Sequence, residues 1–163
     1  MDAPGVDILI ESPLWEAVPE ASQTVLRAVE AVSAHRDASA LMRQGDELGL
    51  TFTDDAAIAE LNERWRGKPT ATNVLSFPAP PPPAAQLPRF LGDIVLAFET
   101  IEREAKAEDK PIEQHLAHLV VHGLLHLLGH DHEEGQDANR MEALETAILA
   151  GLGIDDPYAA RVP

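Results

Sequence analysis

The most informative segment of the chain is His122-Gly-Leu-Leu-His126-Leu-Leu-Gly129-His130-Asp131-His132, at the end of a long apolar run with helical spacing. His122 and His126 are four residues apart, so both imidazoles project from one face of a helix. Gly129 is predicted to end that helix, because glycine readily adopts the left-handed backbone conformation that turns the chain. His132 follows three residues later and can approach the same point.

This spacing predicts a metal site held by His122, His126 and His132. The same ligand spacing is found in the metzincin proteases, and three neutral imidazoles leave a fourth position open, as in catalytic zinc sites. Six of the seven histidines lie between positions 115 and 132, which chance placement does not produce. The imidazole ligands favour one zinc ion per chain, although nickel or manganese could occupy such a site.

The residues around the three predicted ligands limit which reactions the site could catalyse. A zinc peptidase of this type has a glutamate general base directly after the first histidine, but this chain has Gly123 there. The pattern therefore predicts a metal-dependent hydrolase for which peptide cleavage is disfavoured. His115 and His118 lie near the same helical stripe and are interpreted as packing residues, with a place behind the ligands as the alternative. His130 is interpreted as a non-ligand, and Asp131 as a turn residue or an acceptor behind the ligands.

Outward from the histidines, hydrophobic periodicity predicts further strands and helices. Strands are predicted at 5–11, 47–53, 73–77 and 92–98, and helices at 20–36, 55–66, 99–108, 111–128 and 136–150. The order lacks a regular strand–helix alternation, which predicts an α+β domain with layered strands and helices. The length suits one domain over 1–163, with the proline-rich segment 78–88 as an exposed loop.

Composition limits the cellular setting and the partners. The net charge is −16, from 12 Lys and Arg against 28 Asp and Glu, and such a surface repels nucleic acid at long range. The chain has no cysteine, which excludes a disulfide scaffold and a thiolate metal site. Residues 1–11 lack the pattern of a signal peptide, and no apolar run approaches the ~20 residues of a membrane span. We therefore expect a soluble, cytoplasmic protein.

Five stretches together resemble the YbeY family of bacterial rRNA-maturation factors. Besides the histidine motif at 122–132, they are LNERWRGK at 61–68, TNVLSFP at 72–78, LGDIV at 91–95 and MEALE at 141–145. The resemblance covers about 48–158. One departure is His130, where the family usually has tyrosine.

The resemblance implies a fold and a function. The implied fold is a small mixed β-sheet flanked by helices, with a zincin-like three-histidine site at a helix end. The implied activity is that of a single-strand-specific, metal-dependent endoribonuclease in 16S rRNA 3′-end maturation and late ribosome quality control. The family's metal ligands correspond to His122, His126 and His132, and its functionally important arginine to Arg66. The implied partners are rRNA or other single-stranded RNA, the small ribosomal subunit and a ribosome-assembly GTPase, with neither DNA nor a membrane.

Two alternatives remain open from the sequence: a zinc hydrolase of another substrate, and a non-catalytic ribosome-assembly factor with a structural metal. The charge of −16 counts against unaided RNA binding unless a local basic strip, such as Arg64, Arg66 and Lys68, reaches the substrate. Asn73 and Ser76 could donate hydrogen bonds to substrate at the edge of the pocket. Polar residues at strand ends also often satisfy only the backbone.

Overall fold

A computed structural model describes residues 3–80, 88–130 and 135–159. The strands are β1 (Gly5–Ile10), β2 (Glu47–Thr53), β3 (Val74–Pro78) and β4 (Phe90–Ala97). The α-helices are α1 (Ala21–Ala34), α2 (Asp55–Arg66), α3 (Phe98–Ala107), α4 (Ile112–Leu127) and α5 (Gly135–Gly151). Short 3-10 helices occupy Pro13–Ala17 and Ala38–Leu41. Most of the proline-rich segment at 78–88 lies outside the described residues.

The four strands form one mixed sheet in the order β1-β2-β4-β3. The pairs β1–β2 and β2–β4 are parallel, whereas β3 lies antiparallel to β4 at one edge. The helix α1 therefore connects two adjacent parallel strands, a crossover that the sequence analysis did not predict. The mixed α+β fold and the small sheet flanked by helices are confirmed.

The two faces of the sheet carry different helices. On one face, the alternating residues Leu48, Leu50 and Phe52 of β2 are buried in the main core with residues of α1 and α4. On the other face, Ile58 of α2 packs in a smaller cluster with Leu75, Val95 and Ala97. Successive side chains of β3 alternate between the two layers, with Val74 against the main core and Leu75 and Phe77 in the smaller cluster.

A glycine shapes the edge next to α4. Gly92 has a φ of +139°, and a Cβ at this position would collide with the carbonyl oxygen of Phe77 and lie 2.9 Å from Cδ2 of Leu127. The pairing of β2 with β4 shifts register between Glu47 and Gly49, close to the same point. Only glycine fits there without moving the backbone, so β3 and α4 can pack closely.

The helices that border the candidate site end as their sequences predict. The Asp54 side chain accepts a hydrogen bond from the Ala57 amide at 2.9 Å and caps α2. Gly129, with a φ of +99°, follows the end of α4 in the left-handed conformation that was predicted. Pro111 occupies the N-cap position of α4 rather than the first helical turn that was predicted. In the described part of the chain, no helix is both long and apolar enough to cross a membrane.

Candidate metal centre

Two of the three predicted ligands face each other on α4. Nε2 of His126 lies 3.2 Å from Nε2 of His122, one helical turn away. Two nitrogens each about 2.05 Å from a zinc ion at the tetrahedral angle would be about 3.3 Å apart. The donor atoms, their chemistry and their separation thus fit a shared zinc ion.

A buried carboxylate contacts Nδ1 of His122, the ring nitrogen that does not face His126. Oε1 of Glu145, on α5, lies 3.1 Å from Nδ1 of His122, and only 1% of the Glu145 side chain is exposed. An ionised carboxylate only accepts hydrogen bonds, so Nδ1 of His122 carries the proton. Nε2 therefore presents its lone pair toward His126, which is the state that a metal ligand requires.

The same oxygen of Glu145 accepts two further hydrogen bonds. Nε2 of His118 lies 2.9 Å from it, and the hydroxyl of Tyr158 donates to it at 2.9 Å. Burial raises the pKa of Glu145, but the hydrogen bonds from His118 and His122 outweigh that effect and lower the pKa from 4.5 to about 2. Glu145 is therefore an anion at neutral pH. We refer to Glu145, His118 and Tyr158 as the Glu145 network.

The third predicted ligand, His132, and its neighbour Asp131 lie outside the described residues. Across the residues that the structure describes, no group of three or more His, Cys, Asp or Glu side chains is arranged to hold a metal. The three-histidine site thus stays a prediction, of which the structure displays the His122–His126 pair. Nε2 of His130 lies 3.2 Å from the carbonyl oxygen of Ala38, in the second 3-10 helix.

Gly123 lies where α4 approaches β3 and β4 most closely. A Cβ at this position would be 3.0 Å from Oγ of Ser76 and 3.3 Å from Cδ1 of Ile94. A glutamate here would push its side chain into this buried contact. The position that holds the general base in zinc peptidases is therefore used for packing in this chain.

The two predicted substrate-binding residues lie in different surroundings. Oγ of Ser76 donates a long hydrogen bond of 3.5 Å to the carbonyl oxygen of Gly123, directly beside His122. Asn73 instead donates from Nδ2 to Oε1 of Glu104 at 2.9 Å, and the same oxygen lies 2.8 Å from Nε2 of buried His115. This contact joins Asn73 to α3 and α4, away from the histidine pair.

Arg66 is the last residue of α2 and is exposed. The helix α2 packs on the face of the sheet opposite α4, and the neighbouring Trp65 ring lies 6.1 Å from the ring of Phe77 on β3. The end of α2 and the histidine pair thus lie on opposite sides of the sheet, next to its edge strand β3. The described residues include no hydrogen bond or ion pair between Arg66 and either histidine.

The sequence analysis assigned no role to Glu145 and Tyr158. The signal for Glu145 was a charged residue on an apolar helical face, since Met141, Ile148 and Leu149 of α5 are buried with it. A carboxylate at a core position needs a partner, and histidines were the available ones. No comparable local signal marks Tyr158, because its contacts join segments far apart in the chain.

Comparison with known proteins identifies the family. Residues 15–153 match the family described as Endoribonuclease YbeY. The solution structure of TM1509 from Thermotoga maritima aligns over 91% of both chains, with a TM-score of 0.48 and 21% sequence identity. A protein named Endoribonuclease YbeY from Azorhizobium caulinodans is 51% identical over 154 residues, which cover 94% of this chain and 96% of the relative. Another with that name, from a Bradyrhizobium species, is 48% identical over 163 residues, covering 97% and 94%. On the family match and these sequence identities, the chain belongs to the Endoribonuclease YbeY family.

Proposed function

We propose that this protein is a metal-dependent endoribonuclease that cleaves single-stranded RNA, with the 3′ end of 16S rRNA as its substrate and a role in late ribosome quality control. The observation that carries the proposal is the pair of facing Nε2 atoms of His122 and His126, 3.2 Å apart, with Glu145 behind His122. The names of the relatives, which state endoribonuclease, supply the class of substrate.

In the proposed mechanism, His122, His126 and His132 would hold zinc. When bound, zinc supplies Lewis acidity and lowers the pKa of water at the site. Glu145 keeps the proton of His122 on Nδ1, so that Nε2 stays available as a ligand. Arg66 binds the phosphodiester, because a guanidinium can donate two parallel hydrogen bonds to phosphate oxygens and stabilise charge that develops there.

The packing of Gly123 favours RNA over peptide as substrate. Peptide hydrolysis by this ligand pattern uses a glutamate at that position, where even a Cβ would lie only 3.0 Å from Oγ of Ser76 and 3.3 Å from Cδ1 of Ile94. Phosphodiester cleavage at a metal site draws mainly on charge stabilisation and positioning, which the metal and Arg66 supply. The lack of a general base at 123 is therefore compatible with nuclease activity.

The proposed setting is the cytoplasm, where the small ribosomal subunit and a ribosome-assembly GTPase are the proposed partners. A chain with a net charge of −16 gains little from long-range attraction to RNA. Delivery by a protein partner on the subunit would place the site at its substrate without a globally basic surface. Binding of purified small subunits, with and without the GTPase, tests this part of the proposal.

The test of the activity is cleavage of a labelled single-stranded RNA that spans a 16S 3′ end. Purified protein of measured metal content is compared with His126→Ala and Arg66→Glu, and Arg27→Glu on α1 serves as a charge-matched control. We expect wild type and Arg27→Glu to cut, and the other two variants to be folded and inactive. Equal cutting by all four would identify a contaminating nuclease. No cutting by wild type would overturn the nuclease proposal in favour of a binding role in ribosome assembly.

A further inference from the structure

Trp65 is the most exposed large hydrophobic side chain in the described part of the protein. Its relative exposure is 66%, whereas the other tryptophan, Trp15, is 3% exposed in the core and donates a hydrogen bond to the Thr53 carbonyl oxygen at 2.8 Å. The helical pattern of α2 places Trp65 on the same side as Ile58 and Leu61, but the helix end extends beyond the core. Tryptophan is highly buried on average, so an indole that is two-thirds exposed is unusual.

Three basic residues lie next to this tryptophan in the sequence. Arg64, Arg66 and Lys68 are all exposed, so three positive charges occur within five consecutive residues of a chain with 12 Lys and Arg in total. Among the described residues, none of these three forms an ion pair. By contrast, four other basic residues each pair with a carboxylate: Arg89, Arg103, Lys106 and Lys110. We call Arg64, Trp65, Arg66 and Lys68 the Trp65 patch.

A structural role explains only part of this arrangement. Basic residues in the last turn stabilise a helix by interacting with the negative end of its dipole, which accounts for Arg64 and Arg66. That effect gives no reason for an exposed indole between them. An indole flanked by cations is the combination that binds single-stranded nucleic acid, through base stacking and phosphate contacts.

Contacts within the protein support the Trp65 ring and the loop that follows it. The Trp65 ring is braced against Phe77, with 6.1 Å between ring centroids. Beyond α2, Gly67 is left-handed, and buried Asn62 donates from Nδ2 to the Thr70 carbonyl oxygen at 2.9 Å, which folds the following loop back onto the helix. A rigid aromatic ring loses little conformational entropy when a base stacks on it.

The patch adjoins the candidate metal centre across a single strand. Phe77 supports Trp65 on one face of β3, and the preceding residue Ser76 contacts Gly123, next to His122, on the other face. β3 is the edge strand of the sheet, so only this one strand lies between the Trp65 ring and the contact beside His122. An RNA chain bound at the histidines would therefore have Trp65 near the same sheet edge.

From these observations we infer that Trp65 stacks on an unpaired base of the RNA substrate, while Arg64 and Lys68 contact the adjoining phosphates. The inference rests on the proposed function, since it assigns a substrate contact of the same site. A stacking platform accepts only bases whose faces are free, so it selects single-stranded over duplex RNA. It also gives an acidic protein a local means of holding RNA.

The test measures binding of the full-length protein to a fluorescently labelled single-stranded oligoadenylate in EDTA, with gel analysis to verify that the RNA stays intact. We expect Trp65→Ala to weaken binding roughly five- to 150-fold, the range that corresponds to the loss of one stacked base. Trp65→Phe keeps a stacking ring and should retain most of the affinity. Phe90→Ala removes an exposed aromatic ring next to Arg89, a cation that is already paired with Asp46, and should leave the affinity unchanged.

Two further readouts separate stacking from a general loss of charge or fold. RNA should quench tryptophan emission in wild type but not in Trp65→Ala, where buried Trp15 reports only on the folded core. Arg64→Gln should reduce the slope of log affinity against log salt by about 0.7, the value for one lost phosphate contact on a single strand. The same Trp65→Ala loss on duplex RNA would overturn the stacking assignment.

The outcomes also distinguish this inference from the proposed function. One outcome is RNA binding that depends on Trp65, with no cleavage when metal is restored. That result would support RNA stacking on Trp65 and overturn the proposed nuclease activity. Cleavage by wild type with unchanged RNA affinity in Trp65→Ala overturns the patch alone. In that case the exposed indole and its cations would be assigned to a protein partner with an acidic face.

Discussion

Oε1 of Glu145 lies 3.1 Å from Nδ1 of His122, although the two residues are 23 positions apart and on different helices. The contact makes α5 part of the candidate metal centre. A proton held on Nδ1 of His122 leaves the other ring nitrogen, Nε2, free to bind a metal. A carboxylate behind a ligating histidine also holds the ring orientation and raises its basicity. The geometry of α4 alone therefore does not define the site.

Replacing Glu145 is expected to weaken metal binding without removing a ligand. Glu145→Gln keeps the size of the side chain but loses the charge that holds the proton on Nδ1 of His122. We expect the zinc affinity to fall about 10- to 100-fold, as is typical when such a carboxylate is removed. Competition with a chromogenic chelator measures the affinity directly and needs no RNA substrate.

The matched control is Glu30→Gln, which removes an exposed carboxylate from α1 and should leave zinc affinity unchanged. Zinc should also raise the melting temperature of wild type more than that of Glu145→Gln. If Glu145→Gln bound zinc as tightly as wild type, the carboxylate would have no part in holding the metal.

Tyr158 is expected to stabilise the fold through its hydrogen bond to Glu145. Tyr158→Phe removes a hydroxyl that donates to Oε1 at 2.9 Å and leaves the ring in place. The loss of one neutral donor to a charged acceptor should destabilise the fold by about 1.5–3 kcal/mol. In a double-mutant cycle monitored by urea unfolding, the effect should largely disappear in the Glu145→Gln background. Equal effects in both backgrounds would show that Tyr158 stabilises the fold by another contact.

Gly123 offers a test of the close approach between α4 and β3. Gly123→Ala gains about 1 kcal/mol of helix propensity, but its Cβ would meet Oγ of Ser76 at 3.0 Å and two atoms of Ile94 at 3.3 and 3.4 Å. Overpacking typically costs about 1–3 kcal/mol, so we expect a net loss of roughly 1 kcal/mol. Ser76→Ala removes the closest atom and should make Gly123→Ala nearly neutral, which urea unfolding of the double mutant measures.

Gly123→Glu extends the same argument to activity. A charged side chain in this buried contact should cost several kcal/mol, since no cation among the described neighbours pairs with it. We expect a large fall in melting temperature and no gain of peptide hydrolysis. A stable Gly123→Glu protein that cleaves peptides would contradict the conclusion that packing excludes a base at this position.

The local features of the fold were predictable because they leave a periodic signal in the sequence. The alternation of Leu48, Leu50 and Phe52 predicted β2 over the range observed, and all three are buried. The capping residue Asp54 and the terminal Gly67 likewise mark the two ends of α2, whose predicted range is also the one observed. These signals arise from contacts within a few residues.

The pairing of distant segments left no such signal. Nothing local in the sequence states that β1 and β2 are parallel neighbours, or that Gly92 must approach the Phe77 carbonyl oxygen. The same holds for the site. The four-residue spacing of His122 and His126 predicted a facing pair, whereas the contact with Glu145 depends on how α5 packs against α4.

The last prediction concerns the second histidine–carboxylate group, on the α3 side of α4. Burial raises the pKa of Glu104, but hydrogen bonds from His115 and Asn73 outweigh this effect and leave the pKa below its usual 4.5. A carboxyl group whose pKa is lower in the folded state stabilises the protein above its unfolded pKa, and this contribution is lost as the pH falls. Stability from Glu104 should therefore be complete above about pH 5 and decline from pH 4.5 downward.

Urea unfolding at a series of pH values tests whether the protein loses this stability as the pH falls. Glu104→Gln should lower the free energy of unfolding at pH 7. Between pH 5 and pH 3, this free energy should fall less in the variant than in wild type. Glu102→Gln, on the same helix, removes a carboxylate of nearly the same exposure, 41% against 40% for Glu104, whose partner is exposed Lys106 at 3.6 Å; it should follow the wild-type curve. Asn73→Ala removes one of the two hydrogen bonds to Glu104 and should give an intermediate curve. If Asn73→Ala leaves that curve unchanged but impairs RNA cleavage, its amide serves the substrate rather than Glu104.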